Sequence, residues 1–211
     1  VMKQMEPDMI EWRADFFNRL DNRDEVLQII NEAKSIIDVP LLFTIRSTIE
    51  GGNPISLTES EKVELICSVC EHSSVAFVDY ETCNDIDNIQ KIKNAVRKNG
   101  KHFILSYHNF IETPENDELL KRLKIAETYG ADVAKLAVMP KSEEDVFRLL
   151  KITRQADRTM TIPVITMAMG ELGRISRMIG WLYGSVLTFG VGVQSSAPGQ
   201  LPIQDLKGYI R

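Results

Sequence analysis

The sequence predicts an α/β fold, a parallel (β/α)8 TIM barrel whose first strand and helix are missing from the chain. Three observations carry this: short apolar runs alternate with helical stretches, the runs recur at βα spacing, and one parity of each run is polar. The candidate strands are 9–13, 41–46, 76–81, 102–108, 133–139, 163–169 and 186–191, with starts about 23 to 35 residues apart. Side chains two apart in a strand share a face. One face therefore carries Glu11 and Arg13; Leu42, Thr44 and Arg46; Phe77, Asp79 and Glu81; Ile104, Ser106 and His108; Val133, Lys135, Ala137 and Met139; and Ile165, Met167 and Met169. The opposite face is mostly apolar (Ile10 and Trp12, Phe103 and Leu105, Ala134, Leu136 and Val138), as a surface covered by helices requires. A charged inner face crowded at the C-terminal strand ends suits a barrel with its site at the top. An open doubly wound sheet would bury two apolar faces and usually carry a Gly-rich phosphate turn, and no G-x-G-x-x-G follows the first strand.

The helices carry their own punctuation. Thr58 and Glu61 form a capping box before Val63–Val69. Thr113 and Pro114 precede Leu119–Ala126, which Gly130 closes; Ser142 and Asp145 open Val146–Leu150; Gly100 follows Ile89–Val96. Seven strands are counted rather than eight. The chain opens at Val1, and Met2–Glu6 reads as a helix end, so a further strand and helix are expected upstream. Without them the barrel has two open edges. No linker or low-complexity stretch divides residues 1–211, which read as one domain, incomplete at its N-terminus.

Composition excludes several classes. A net charge of −5 over 211 residues gives no overall basic footprint for nucleic acid. No apolar run approaches the ~18 residues of a membrane span, and no signal peptide is visible, so a cytoplasmic location is expected. Cys67 and Cys70 form a lone C-x-x-C inside a helical pattern and read as two small residues one turn apart. No ligand-spaced His pair exists, so no metal is expected, although His108, Glu81 and Asp79 could form part of a site.

Lys135 lies mid-strand among Val133, Ala134, Leu136 and Ala137. Lysines are rarely buried unpaired. Burial, or a cation such as Arg46 nearby, would favour a neutral amine able to attack a ketone; the plain alternative is a snorkelling lysine on an edge strand. His108 ends its strand inward and suits proton transfer in either direction, whereas His72 and His102 are poorly placed. Glu81 ends the preceding strand inward and could orient the imidazole, or could simply pair with Arg13 or Arg46. Arg177 follows the sixth strand and could grip a carboxylate, or be an exposed helix residue. The small, polar stretch 190–200 could close over a ligand or be an ordinary turn.

Seven segments in order resemble type I 3-dehydroquinate dehydratase: Glu11–Asp15 (EWRAD), Phe43–Gly52 (FTIRSTIEGG), Ser106–Phe110 (SYHNF), Lys135–Pro140 (KLAVMP), Ile165–Met169 (ITMAM), Ile175–Arg177 (ISR) and Ser196–Gln200 (SAPGQ). The resemblance implies a shikimate-pathway lyase that converts 3-dehydroquinate to 3-dehydroshikimate and water by syn elimination, without a cofactor. It implies Lys135 as the imine-forming residue and His108 as general acid/base, with Glu81 beside it. Glu11, Arg13 and Arg46 would line the polar site and contact substrate hydroxyls. Arg177 would bind the carboxylate, Ser196 and Gln200 would belong to the closing loop, and Met167, Met169 and Phe189 would form apolar lining. A homodimer is also implied. Two other readings stay open: a Schiff-base aldolase on a similar barrel, and a truncated barrel that binds ligand without turnover.

Overall fold

The computed structural model describes residues 5–192 and 195–210. Six strands form one parallel sheet: β1 (Ile10–Arg13), β2 (Leu41–Thr44), β3 (Phe77–Glu81), β4 (His102–Asn109), β5 (Val133–Val138) and β6 (Val164–Ala168), hydrogen-bonded in chain order. Between and after them run α1 (Arg23–Ile36), α2 (Glu59–His72), α3 (Ile86–Lys98), α4 (Asn116–Thr128), α5 (Glu143–Thr159), α6 (Gly170–Ile179) and α7 (Ile203–Lys207). Neighbouring strands in sequence are neighbours in space, which is the βα progression of a barrel wall.

The two strand parities bury against different things. Phe43, Val78, Tyr80, Phe103, Leu105, Ala134, Leu136, Val138 and Val164 pack outward against Val69, Ile89, Leu123, Leu149 and other helix residues. Leu42, Ile104, Ala137, Ile165, Met167 and Met169 form a second, inner cluster with Phe77, Val133, Met139 and Phe189 at its margin. This inner cluster runs the height of the wall: Leu42, Phe77, Ile104 and Val133 lie toward the N-terminal strand ends, while Ala137, Met167 and Met169 stand beside the polar side chains at the C-terminal ends.

The seventh predicted strand, 186–191, is not one. Val186 N–H donates to Val164 O at 2.9 Å, and a single bridge joins Val164 to Ser185. The ladder then stops, because the next free β6 donor, Thr166 N–H, bonds to the side chain of Ser185 at 3.0 Å instead of to a strand carbonyl. Among the described residues the sheet therefore ends at β6 on one side and β1 on the other.

The capping box at Thr58 and Glu61 opens α2, and Ser142 accepts from Asp145 N–H to open α5. Thr113 does not cap α4. That helix begins at Asn116 behind Glu115, and Thr113 Oγ1 is buried without a partner. Cys67 and Cys70 lie within α2, where burial pushes the Cys70 thiol up to about 12. The last helix spans Ile203–Lys207. Residues 2–4 of the predicted first helix end, Val193 and Gln194 of the 190–200 stretch, and Arg211 lie outside the described residues.

Candidate active site

Parallel register sets the height of each inward side chain. Thr44 pairs with Asp79, and Asp79 with Ile104; Glu81 pairs with Ser106, and Ser106 with Lys135; His108 pairs with Ala137, and Ala137 with Met167. Lys135 thus stands mid-wall and His108 one inward step higher. Ser106 lies between Glu81 and Lys135 in register, and its small side chain lets charged groups meet across β4. Its hydroxyl donates to Asp79 Oδ1 and accepts from Arg46 Nη1 at 2.8 Å.

Lys135 is buried, with 5% of its surface exposed. Its Nζ donates to Asp79 Oδ2 at 2.9 Å, lies 4.0 Å from Glu11 Oε1, and sits 4.3 Å from the centre of the Phe189 ring. Its direct charged partner is a carboxylate, not Arg46. Burial works against the Asp79 charge, but Arg46, Lys135 and His108 outweigh it and hold that carboxyl well below the usual range. Arg46 reaches Asp79 through Nη2 at 2.9 Å and Glu81 through Nη1 at 2.8 Å. Glu11 accepts from Thr44 Oγ1 at 2.8 Å.

The carboxylate that orients His108 is Glu50, which corrects the expectation for Glu81. His108 Nδ1 lies 2.9 Å from Glu50 Oε2, and the same oxygen accepts the His108 backbone N–H at 2.9 Å. Glu81 is fully buried and spent elsewhere. Its Oε1 accepts from Arg46 and from Ser47 N–H, and its Oε2 from Lys62 Nζ at 3.2 Å and Asn84 Nδ2 at 3.1 Å. Register supplies the reason, since Glu81 is level with Ser106 and His108 lies two residues beyond.

Glu50 ends a single 3-10 turn, Thr48–Glu50, just after β2. Gly51 follows in the left-handed region (φ +83°), and a side chain there would strike the Phe110 ring; one at Gly52 would strike the Arg46 carbonyl. This glycine pair lets the turn press Glu50 against the end of β4. Strand parity could not find Glu50, because it is not in a strand. The I-E-G-G portion of the Phe43–Gly52 segment was the available signal. Burial pushes the Glu50 carboxyl up to about 7, with Arg46 pulling it down and Glu81 pushing it up. Burial, then Arg46 and Lys135, hold the His108 imidazolium well below its ordinary value. With Nδ1–H donating to Glu50, Nε2 is left as the acceptor.

Arg13 is held by Asp15, through Nε at 2.7 Å and Nη2 at 2.8 Å, and reaches Ser196 O at 3.4 Å. Arg177 differs. It is 2% exposed, yet among the described residues it has no carboxylate partner. Its contacts are Met167 Sδ (3.6 Å), Phe189 O (3.4 Å) and Pro198 O (3.3 Å), and its Nε has none. Burial pushes it down to about 10. Gln200 Oε1 gathers the Ser196 and Ala197 N–H groups at 2.8 and 3.3 Å, tying the strap over the site.

These groups meet at a cavity of about 40 Å³ lined by Lys135, His108, Glu50, Glu11, Arg13, Arg46 and Arg177, with Met167, Met169, Phe189, Phe110, Ala137, Ser196, Ala197 and Gln200. Such a space holds a water or two, not a ring acid. A groove of about 760 Å³ runs beside it along β1 and the 186–192 stretch, sharing Glu11, Arg13, Phe189, Ser196 and Gln200. No group of three or more His, Cys, Asp or Glu side chains suited to a metal ion occurs among the described residues. Nor is any of their helices long and apolar enough to cross a membrane.

The family model for type I 3-dehydroquinase matches residues 1–211. A 3-dehydroquinate dehydratase of Geobacillus thermodenitrificans is 48% identical over 205 residues, covering 97% of this chain and 79% of that protein. The crystal structure of 3-dehydroquinate dehydratase from Geobacillus kaustophilus superposes with a TM-score of 0.96 at 47% identity, over 98% of this chain and 80% of that one. The type I enzyme from Clostridium difficile, whose structure is described as carrying covalently modified comenic acid, gives 0.93 at 37% identity over 99% and 82%. A 3-hexulose-6-phosphate synthase gives 0.62 at 15% identity, a likeness of fold alone.

Proposed function

Since this chain belongs to the type I 3-dehydroquinase family and is a 3-dehydroquinate dehydratase, a hydro-lyase, we propose that it eliminates water through an imine on Lys135. The observation that carries the proposal is a buried amine facing the same small cavity as an imidazole and a guanidinium with no carboxylate partner among the described residues.

The substrate is a cyclic acid bearing a ketone. Its carboxylate pairs with Arg177, which places the ring over Lys135. Lys135 passes a proton to His108 Nε2 and attacks the ketone carbon with the freed lone pair, and the carbinolamine oxygen takes up a proton from the attacking nitrogen. His108 returns that proton to the carbinolamine hydroxyl, which leaves as water and gives a protonated imine. That imine draws electrons from the adjacent C–H bond, and His108 Nε2 takes the proton, leaving an enamine. The enamine expels the hydroxyl β to the imine carbon, and His108 returns its proton so that water leaves. A second water hydrolyses the product imine and frees Lys135. Glu50 holds His108 in the tautomer that presents Nε2 and steadies it when protonated. One base acting twice from one side corresponds to a syn elimination.

Glu11, Arg13 and Arg46 serve the substrate hydroxyls, while Met167, Met169 and Phe189 shape the apolar wall. Ser196 and Gln200 belong to a strap that must open for a ring acid to enter the 40 Å³ space. Arg177 would grip a phosphate as readily as a carboxylate, so it is membership of the dehydratase family that favours dehydration over an aldolase reaction. We place residues 1–211 in one catalytic unit of a cytoplasmic homodimer.

Incubation with 3-dehydroquinate, followed by the ultraviolet absorbance of the conjugated enone, tests the reading. Wild type forms product, Lys135→Ala forms none, and His108→Ala is slowed at least ~10²-fold. Turnover in Lys135→Ala at an appreciable fraction of the wild-type rate would remove the imine from the reaction.

A further inference from the structure

A second buried lysine, Lys62, stands outside the cavity. It is 2% exposed and lies on the first turn of α2, so its chain runs from the helix over the end of β3. Its Nζ is 3.2 Å from Glu81 Oε2 and 3.5 Å from Glu59 Oε1, and it sits 5.1 Å from the centre of the Tyr80 ring. Glu59 in turn accepts the Tyr80 hydroxyl at 2.6 Å.

The contacts of Glu81 give this lysine a consequence inside the barrel. Each Glu81 oxygen faces a different cation, with Arg46 on Oε1 and Lys62 on Oε2. Arg46 in turn divides its two terminal nitrogens between Glu81 and Asp79. Asp79 holds Lys135. The charges therefore run in one line, Lys62–Glu81–Arg46–Asp79–Lys135, alternating in sign from a helix outside the sheet to the amine within it. A carboxylate buried with one cation draws that cation harder than a carboxylate shared by two. Resting on the imine reading above, we infer that Lys62 is a positioning residue: by sharing Glu81 it leaves Arg46 free to hold Asp79, and so sets the charge balance around Lys135 and His108.

Without Lys62, Arg46 is pulled toward Glu81 and Asp79 loses part of its grip. The cluster also loses a full positive charge, which favours the protonated forms of its neighbours. The titrating pair that governs the acid side of the reaction is Glu50 and His108. Facing that pair are Arg46 beyond β2, Glu81 and Asp79 on β3, Lys135 on β5, Arg13 on β1 and the Cys83 thiol after β3. Removing one cation raises the pair's apparent pKa, so activity is lost at a higher pH on acidification.

The test is the pH profile of kcat/KM for Lys62→Met, Lys62→Arg and the double variant K62M/E81Q. Lys62→Met should move the acid limb up by about one pH unit, the effect of a unit charge across on the order of 10–15 Å at an effective dielectric of ~20. Lys62→Arg should restore the wild-type limb, and K62M/E81Q should recover most of it because both charges go together. A lower melting temperature in Lys62→Met with an unmoved limb would make Lys62 a structural ion pair and overturn the inference. Should Lys62→Met fail to fold, the double variant decides: a limb still shifted up by the full amount also overturns it. Borohydride trapping of wild type runs alongside. A wild type that turns over without a trapped adduct refutes the imine itself, independently of anything Lys62 does.

Discussion

Replacing Arg177 by Met probes the substrate's charged handle while keeping the buried volume. The guanidinium has three long contacts, to Met167 Sδ at 3.6 Å, Phe189 O at 3.4 Å and Pro198 O at 3.3 Å, and no anion among the described residues. A bound carboxylate would add two charge-assisted hydrogen bonds worth about 1.5–3 kcal/mol each. Subtracting about 1–2 kcal/mol for the carbonyl contacts exchanged leaves roughly 2–4 kcal/mol. That corresponds to a fall in kcat/KM of about 30- to 1000-fold. The assay is steady-state dehydration of 3-dehydroquinate beside an analogue lacking the carboxylate. The analogue should respond to Arg177→Met by less than ~3-fold, because it cannot make the lost pair. The variant's melting temperature should equal or exceed that of wild type, since an unpaired buried charge is removed. Equal losses on both substrates, or a loss under ~5-fold on the acid, would refute the assignment.

Three further outcomes follow from the same geometry. Glu50 ionises at about 7 and His108 well below its ordinary value, so the acid limb of kcat/KM should lie near 7; Glu50→Gln should move that limb down and slow turnover ~10- to 100-fold, and an unmoved limb would separate Glu50 from His108. Glu81→Ala strands Arg46 and Lys62 without their shared acceptor and should cost about 3–5 kcal/mol, a fall of roughly 6–20 °C by calorimetry, whereas an unchanged melting temperature would contradict the network. Thr58→Ala breaks the capping box of α2 and should lower stability by about 1 kcal/mol in urea with kcat unaltered; a large loss of activity at saturating substrate would show the cap doing more than holding the helix.

The inner face of the barrel was legible because a period of two is unambiguous. Once Lys135 and His108 are inward, Asp79, Ser106 and Met167 must be inward too, and all are. What parity does not contain is height. Glu81 and His108 both end strands and both face in, yet β3 and β4 pair Glu81 with Ser106, so the carboxylate falls one step short of the imidazole. Its place is taken by Glu50, from a turn whose shape depends on Gly51 and Gly52 rather than on any alternation. The same limit applies at 186–191, where an apolar pattern suits a strand but the Ser185 side chain takes the Thr166 hydrogen bond. Lys62 was hidden differently: on its helix it reads as an ordinary polar residue, and only the fold brings it to Glu81.

Borohydride reduction during turnover, followed by peptide mass mapping, tests the central claim most directly. One reduced adduct of the dehydrated ring acid should form on Lys135, dependent on substrate and absent from Lys135→Ala. Full product formation with no adduct, or an adduct on another lysine while Lys135 stays unmodified, would contradict it.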